Sequence, residues 1–203
     1  MQQETARHAG GLWERHLMAL DEVTDRMERI SRAFTDASVP YALVGGQAVA
    51  MWVATREPAA VRTTKDVDIL LRRQDLPRAR AAALSMGMDY FEVLGVGMFL
   101  EQHDPNPRRA VRLVWAGEKV RPEYPLPSPG VDPGGDETQM LDPGKPVTSL
   151  AGLVRMKLIS YRDTDRVHLR DLIDVGLVSR DMTSQLPAEL ADRLQNLLSE
   201  SGR

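Results

Sequence analysis

The spacing of apolar and polar positions changes twice in the first third of the chain, and each change predicts a different element. Over 12–37 apolar residues recur at alternating steps of three and four, which predicts one long helix with a single apolar stripe. Pro40 prevents that helix from continuing, and the apolar run 41–44 indicates a short buried strand. A diglycine breaks this run, and 47–55 then has the pattern of a helix that is apolar on most sides.

The next part of the chain, up to residue 121, has the spacing of strands around one further helix. Residues 65–71 predict a second strand, and Asp75 is suited to cap a helix that ends near Gly87. Short runs rich in β-branched and aromatic residues, separated by Gly, Pro and Asn, predict three more strands at 90–94, 98–101 and 111–115.

The composition changes at Pro122, where a stretch rich in proline and glycine begins. Seven prolines lie between residues 122 and 146, which predicts a long irregular connection that is either ordered against the surface or mobile. Beyond it Ser149 is suited to an N-cap, and the pattern predicts helices at 150–161, about 167–178 and 187–198. The predicted organisation is a core with an N-terminal helix over 1–121, a connection over 122–148, and a helical portion packed on the core over 149–203.

Composition narrows the class of protein. The apolar share of 42% can fill a core, and no apolar run approaches the roughly 18 residues of a membrane span. The chain has no cysteine, which excludes disulfides and thiolate metal sites. The formal net charge of −3 gives no overall attraction to nucleic acid. We therefore expect a cytoplasmic protein with no membrane contact.

Two aspartates, Asp66 and Asp68, lie within the apolar run of the second predicted strand. Residues two apart in a strand point to the same side, so both carboxylates project together while Val67 and Ile69 point away. Like charges side by side are costly to desolvate and need a cation, and Mg²⁺, which prefers oxygen ligands, fits that need. The alternative is that both aspartates lie at a strand end and face water.

The diglycine, Gly45 and Gly46, adds a second element to this candidate site. A strand, two glycines and a helix together aim backbone N–H groups and the positive end of the helix at an anion. The glycines also let a phosphate approach the backbone closely. Phosphates held by this turn, with a metal bridging them to the carboxylates, are the apparatus of phosphoryl or nucleotidyl transfer.

The block LVGGQAVAMW, followed by TKDVDILL, resembles the signature of the nucleotidyltransferase superfamily over residues 41–71. The resemblance implies an α/β (α+β) fold in which helices flank a mixed sheet, with a helical C-terminal portion. It also implies transfer of a nucleoside monophosphate from an NTP to a hydroxyl, with release of pyrophosphate. Many members carry a third catalytic carboxylate on a later strand. Here Arg112 stands at the expected position, and Glu101 is an alternative source of that acid.

Two residues of the C-terminal half extend the candidate site. Lys157 lies within the apolar arc of the helix predicted over 150–161, where it either snorkels to water or offers its ammonium to a triphosphate. In HLRDLIDVGL, Asp171 and Asp174 are three apart and lie on an apolar side, which indicates a polar site. The alternative is that they pair with an arginine of the same helix.

These elements together resemble the AbiEii-type abortive-infection toxin nucleotidyltransferases, although no serine follows the two glycines. The resemblance implies Mg²⁺ ligation by Asp66 and Asp68, with catalytic roles for these two residues. It implies binding of the NTP phosphates by Gly45, Gly46, Gln47 and Lys157, and positioning or activation of the acceptor hydroxyl by Asp171. Because that family includes toxins that add nucleotides to tRNA, the expected partners are an NTP, tRNA or another acceptor, and a cognate antitoxin.

Two alternatives stay open at the level of sequence. Arg112 in place of the expected acid favours a non-catalytic protein of the same fold that binds nucleotide or a protein partner. The acceptor could instead be a small molecule such as an aminoglycoside, or a protein side chain. Two groups of arginines favour RNA: 72, 73, 78 and 80 in one group, and 108, 109 and 112 in the other.

Overall fold

The computed structural model describes residues 11–132 and 134–202, with Leu12 and Trp13 described by their backbone alone. The predicted domain ranges also take in residues 1–10, 133 and 203, which lie outside the described residues. The helices are α1 Leu12–Asp36, α2 Gly45–Ala54, α3 Leu76–Ser85, α4 Leu150–Ser160, α5 Asp163–Asp174 and α6 Ala188–Glu200. The strands are β1 Tyr41–Val44, β2 Val67–Leu71, β3 Met88–Val93, β4 Val96–Glu101, β5 Val111–Trp115, β6 Thr138–Asp142 and β7 Lys145–Thr148.

The strands form one mixed sheet in the order β3-β4-β5-β2-β1-β7-β6. Strand β2 is antiparallel to β1 and parallel to β5, and β7 runs parallel to β1 on the other side. The register places Val44 opposite Asp68, and Asp68 opposite Arg112. A mixed sheet with flanking helices confirms the predicted α/β fold class, and it brings the diglycine and the acidic strand next to each other.

The two faces of the sheet are covered differently. On one face, side chains such as Leu43, Ile69 and Leu113 join all six helices in the main apolar core. On the other face, Ala42, Val44 and Leu70 form a small cluster with Val131 from the proline-rich connection. Strand residues alternate between faces, so Asp68 and Arg112 belong to this second face. Val131 of the connection therefore packs against the face that carries the acidic pair.

The clearest differences from the pattern-based prediction concern helices α2 and α5 and the stretch predicted as irregular. Helix α2 begins at Gly45 rather than after the diglycine. Helix α5 begins at Asp163, four residues before the predicted start, because its first turn is polar and escapes an apolar pattern. Within the stretch predicted as irregular, β6 and β7 form a hairpin, and Gly144 has a φ of 72° in its turn. Such a positive φ suits glycine after proline in a type II turn.

Among the helices that the structure describes, none combines the length and the apolar character that a membrane crossing requires.

Candidate active site

The turn between β1 and α2 is built around glycine. Gly45 has a φ of 69°, a left-handed conformation that side chains rarely adopt. A Cβ on Gly45 would stand 3.0 Å from Cγ of Asp68, and a Cβ on Gly46 would stand 2.6 Å from Oγ1 of Thr64. Val44, the N-cap of α2, makes no side-chain cap. The glycines therefore let this turn pack directly against the side chains of Asp68 and Thr64.

Asp68 is a half-buried carboxylate without a hydrogen-bonded partner. Within residues 11–132 and 134–202, no N–H or O–H group donates a hydrogen bond to it, and no cation pairs with it. Burial raises the pKa of Asp68, and the neighbouring charge of Asp66 adds to that effect. The charges of Arg112, Lys157 and Arg162 act in the opposite direction. Because an ionised carboxylate without donors is costly to desolvate, this site favours an added cation.

Asp66 lies two residues earlier and has a partner in the sheet. Nη2 of Arg112 stands 3.0 Å from its Oδ1, and both side chains are more than a third exposed. Arg112 is the residue opposite Asp68 on the parallel strand β5. An arginine therefore occupies the sheet position at which the resemblance leads one to expect a third acid.

Glu101, the alternative source of that acid, lies elsewhere. It is 8% exposed at the end of β4 and pairs with Arg29 of α1, and Nε of Arg26 stands 3.8 Å from its Oε1. On β4 it alternates with Met98 and Leu100, which form a separate apolar cluster, and it points to the helical face. Glu101 therefore holds α1 to the sheet and does not meet Asp68.

Lys157 is buried on α4, and its ammonium is 2.9 Å from Oδ1 of Asp165 on α5. Asp165 also accepts hydrogen bonds from Ser160 and from the backbone and Nε of Arg162. Burial acts to raise the pKa of Asp165, but hydrogen bonds from Arg162 and the charge of Lys157 outweigh it and lower that pKa to about 2. Lys157 is thus held by an acid while its charge still acts on Asp68.

Asp171 lies on the same helix, α5, with only 10% of its side chain exposed. Nε of Arg62, from the loop before β2, donates to both of its carboxylate oxygens at 2.8 and 2.9 Å. The arginines of α5 have other partners, since Arg170 pairs with Glu200 and Arg166 with Asp163. The partner of Asp171 is therefore a distant residue rather than an arginine of its own helix.

Sequence reasoning missed three residues near the site. Arg62 and Arg162 lie in segments whose polar character looks like ordinary surface, and only their contacts with Asp171 and Asp165 mark them. The third is His168, one of four histidines that are scattered along the sequence. Its Nδ1 is buried without a hydrogen-bond partner, and burial together with the charge of Lys157 lowers its pKa.

The arginine groups that favoured RNA are largely neutralised by acids. Arg72 and Arg78 both pair with Asp75, and Arg73 pairs with Glu118. In the second group Arg109 pairs with Glu22 and Asp104, and Arg112 pairs with Asp66. These pairs weaken the argument from charge for a nucleic-acid partner.

No family model matches the chain, and no curated protein matches it either. Two solved structures of the antibiotic-resistance factor ANT(2'')-Ia are similar to it. A solution structure has a TM-score of 0.49 at 14% identity, covering 88% of this chain and 93% of that one. A crystal structure with adenylyl-2''-tobramycin has the same TM-score and identity, covering 90% of this chain and 99% of that one.

A third solved structure is an antigenic nucleotidyltransferase-like protein from Paracoccidioides brasiliensis. It has a TM-score of 0.53 at 17% identity, and the match covers 89% of this chain and 88% of that one. At this identity the similarity concerns the fold. The chain therefore has the fold of a nucleotidyltransferase-like protein, while its resemblance to AbiEii-type toxins stays a prediction.

Proposed function

We propose that the chain is a Mg²⁺-dependent nucleotidyltransferase that moves a nucleoside monophosphate from an NTP to an acceptor hydroxyl. The observation that carries the proposal is the position of Asp68. It is a half-buried strand carboxylate with no donor among the described residues, and it stands against the Gly45 turn. A half-buried carboxylate without donors is unfavourable alone, and the N-terminus of α2 has no side-chain cap. A cation would stabilise the carboxylate, and phosphates bound to that cation would suit the positive end of the helix.

The side chains at this point suit a hard divalent cation. Among residues 11–132 and 134–202 there is no group of three His, Cys, Asp or Glu side chains that could hold a metal. Mg²⁺ needs only one or two carboxylates when water and substrate phosphates complete its shell. Asp66 and Asp68 would be those ligands. Bound Mg²⁺ would neutralise phosphate charge and polarise the phosphorus centre under attack.

The chain's own residues would hold the triphosphate around that cation. The N–H groups of Gly45, Gly46 and Gln47 begin helix α2 and are available to phosphate oxygens. Lys157 would offset negative charge as pyrophosphate leaves. Asp165 keeps that ammonium in place at 2.9 Å.

The reaction requires an acceptor oxygen to attack the α-phosphorus. The new bond forms between this oxygen and phosphorus, the bond from the α-phosphorus to the oxygen that bridges it to the β-phosphorus breaks, and pyrophosphate carries that electron pair away. Asp171 would position the hydroxyl or activate it by accepting its proton as the new bond forms. Arg62 covers both oxygens of Asp171, so Arg62 must move before the acceptor can bind there.

Transfer of label tests the proposal. Each α-³²P-NTP is incubated with Mg²⁺ and either total tRNA or a panel of aminoglycosides, and labelled product is separated from free NTP. The wild-type chain should label one acceptor class, and Asp68→Asn should not. The matched control is Asp89→Asn, the same substitution on the edge strand β3, which should label as the wild type does. Wild-type protein that labels nothing, or Asp68→Asn that labels equally, contradicts the proposal.

Label on tRNA would support a toxin-type enzyme with a cognate antitoxin as its partner. Induced expression of such an enzyme should then arrest growth, and Asp68→Asn should relieve the arrest. Label on an aminoglycoside with no arrest would instead identify a small-molecule acceptor. Labelled tRNA with growth arrest and labelled aminoglycoside without arrest therefore identify different acceptors.

One observation favours a second function, a catalytically impaired protein that binds nucleotide or a protein partner. Arg112 replaces the expected third acid and pairs with Asp66. Calorimetry with each NTP and Mg²⁺ separates the two functions when it is run on the same preparation as the label assay. Binding without transfer to any acceptor would support the impaired protein.

A further inference from the structure

Arg112 is a positive charge fixed within the acidic centre itself. It is the register partner of Asp68 on β5, and its Nη2 lies 3.0 Å from Oδ1 of Asp66. Side chains opposite each other on paired strands share a face. The guanidinium is therefore aimed at the same space as the two carboxylates.

This arrangement limits how many metal ions the carboxylates can serve. Of their four oxygens, Oδ1 of Asp66 already forms an ion pair with Nη2 of Arg112. The oxygens of Asp68 accept no hydrogen bond within the described part of the chain. A pair of metal ions about 3.5–4 Å apart relies on carboxylates that bridge or flank both ions, and no third metal-ligating side chain joins this pair among the described residues.

The charge of Arg112 also bears on the number of ions. Its guanidinium offsets one of the two carboxylates, so it supplies at this point part of the positive charge that a second cation would otherwise bring. Exposed ion pairs contribute little to stability. The pair of Arg112 with Asp66 is more than a third exposed on both sides, so the fold does not depend on it.

We propose that this centre takes a single divalent cation, held mainly by Asp68, and that Arg112 supplies the second positive charge that faces the phosphates. The inference rests on the proposed function, because it assumes that an NTP binds at the Gly45 turn. It differs from that function in concerning the number of ions and the role of one arginine. Arg112 is then a phosphate-facing residue rather than a sign of lost activity.

Manganese is the probe, because it replaces Mg²⁺ and is paramagnetic. The full chain is titrated with Mn²⁺ in the presence of the α,β-methylene analogue of each NTP in turn, and bound ions are counted per bound nucleotide. Two ions at about 3.5–4 Å would show spin coupling in the electron paramagnetic resonance spectrum. The wild type should bind one uncoupled ion per nucleotide.

Two variants make the test specific to Arg112. Arg112→Asp introduces the acid that the resemblance leads one to expect at this position. This variant should bind two spin-coupled Mn²⁺ ions per nucleotide instead of one. Arg112→Gln removes the charge without adding an acid, so it should still bind one ion, with weaker nucleotide affinity. Circular dichroism would show that both variants are folded, and the wild-type count tests the inference without them.

The outcomes separate the inference from the proposed function. Two coupled ions in a wild-type chain that transfers label overturn the single-ion centre and leave the function intact. Unchanged nucleotide affinity in Arg112→Gln overturns the role of Arg112. Failure of every analogue to bind the wild type overturns both proposals together.

Discussion

Two acidic positions near the site, Asp68 and Asp165, have opposite surroundings. Asp165 is 1% exposed and accepts hydrogen bonds from Lys157, Ser160 and Arg162. Asp68 is half-buried and accepts none from the described residues. The pKa of Asp165 is lowered to about 2, and that of Asp68 is raised. Lys157 and Arg162 act on both carboxylates, but they touch only Asp165.

The contrast shows how a fold can keep one acid for structure and another for a ligand. Asp165, whose two oxygens both accept hydrogen bonds, ties α4 to α5 and has little remaining capacity to bind a ligand. A carboxylate that lacks donors destabilises the empty chain and gains most when a cation arrives. Substitutions at each position should therefore affect different properties.

The largest effect is expected from Asp68→Asn on activity. Loss of the cation's main ligand removes several kcal/mol of charge stabilisation in the transition state, which corresponds to about a 10³-fold fall in turnover. Stability should not fall, because the substitution removes a poorly solvated charge. Labelled-product kinetics and urea unfolding measure the two properties. A large loss of stability would show that Asp68 is structural, as Asp165 is.

Asp165→Asn should reverse this pattern. Removing one partner of a buried ion pair leaves the other charge uncompensated, which costs about 3–5 kcal/mol in the free energy of unfolding. The control is Asp163→Asn on the same helix, where the carboxylate is 92% exposed, and its effect should be below about 0.5 kcal/mol. Equal stability of the two variants in urea would contradict the structural role of Asp165.

Acidification should change the free energy of unfolding in opposite directions through the two carboxylates. The folded-state pKa of Asp165 is below its ordinary value of 3.8, so its contribution is present above that pH and is lost as pH falls toward about 2. The difference corresponds to about 2 kcal/mol. The folded-state pKa of Asp68 is above 3.8, so metal-free protein should gain stability as pH falls through that raised pKa.

Urea unfolding of metal-free protein across this pH range measures both contributions. The gain on mild acidification should vanish in Asp68→Asn, and the later loss should vanish in Asp165→Asn. A wild-type curve that only declines with acid, and that Asp68→Asn does not alter, would contradict the raised pKa of Asp68.

The smallest effect is expected from Arg112→Gln on the stability of the empty chain. Its ion pair with Asp66 is more than a third exposed, and such pairs contribute about 0–1 kcal/mol. Thermal unfolding should show this small change. A loss above about 2 kcal/mol would mean that Arg112 serves the sheet rather than the site.

Sequence alone predicted the elements whose apolar pattern is regular. The strand at 111–115 agrees with β5 to the residue, and Ser149 caps α4 by accepting from the N–H of Gly152, as expected. The hairpin of β6 and β7 was not predicted, because its Pro143 and Pro146 read as loop. Its strands are stabilised by pairing with each other and with β1, a contact from about a hundred residues away that local composition does not encode.

The same limit applied to the site. Pairing of β1 with β2 places Gly45 next to Asp68. The short spacing between the diglycine and the acidic pair along the chain was enough to suggest this proximity. The partners of Lys157 and Asp171 come from other segments, and no spacing rule connects them. The roles of these residues in catalysis stay predictions.

The position of β1 in the sheet determines how the chain can be divided. Its residues are at most 3% exposed, and β7 pairs with it at Leu43 and Val147. Truncation before residue 138 would remove β6 and β7 and turn this apolar strand into a free sheet edge, which invites pairing with another chain. A fragment of residues 1–121 should therefore aggregate on expression, and a protease cut between 122 and 137 should leave two pieces that remain associated.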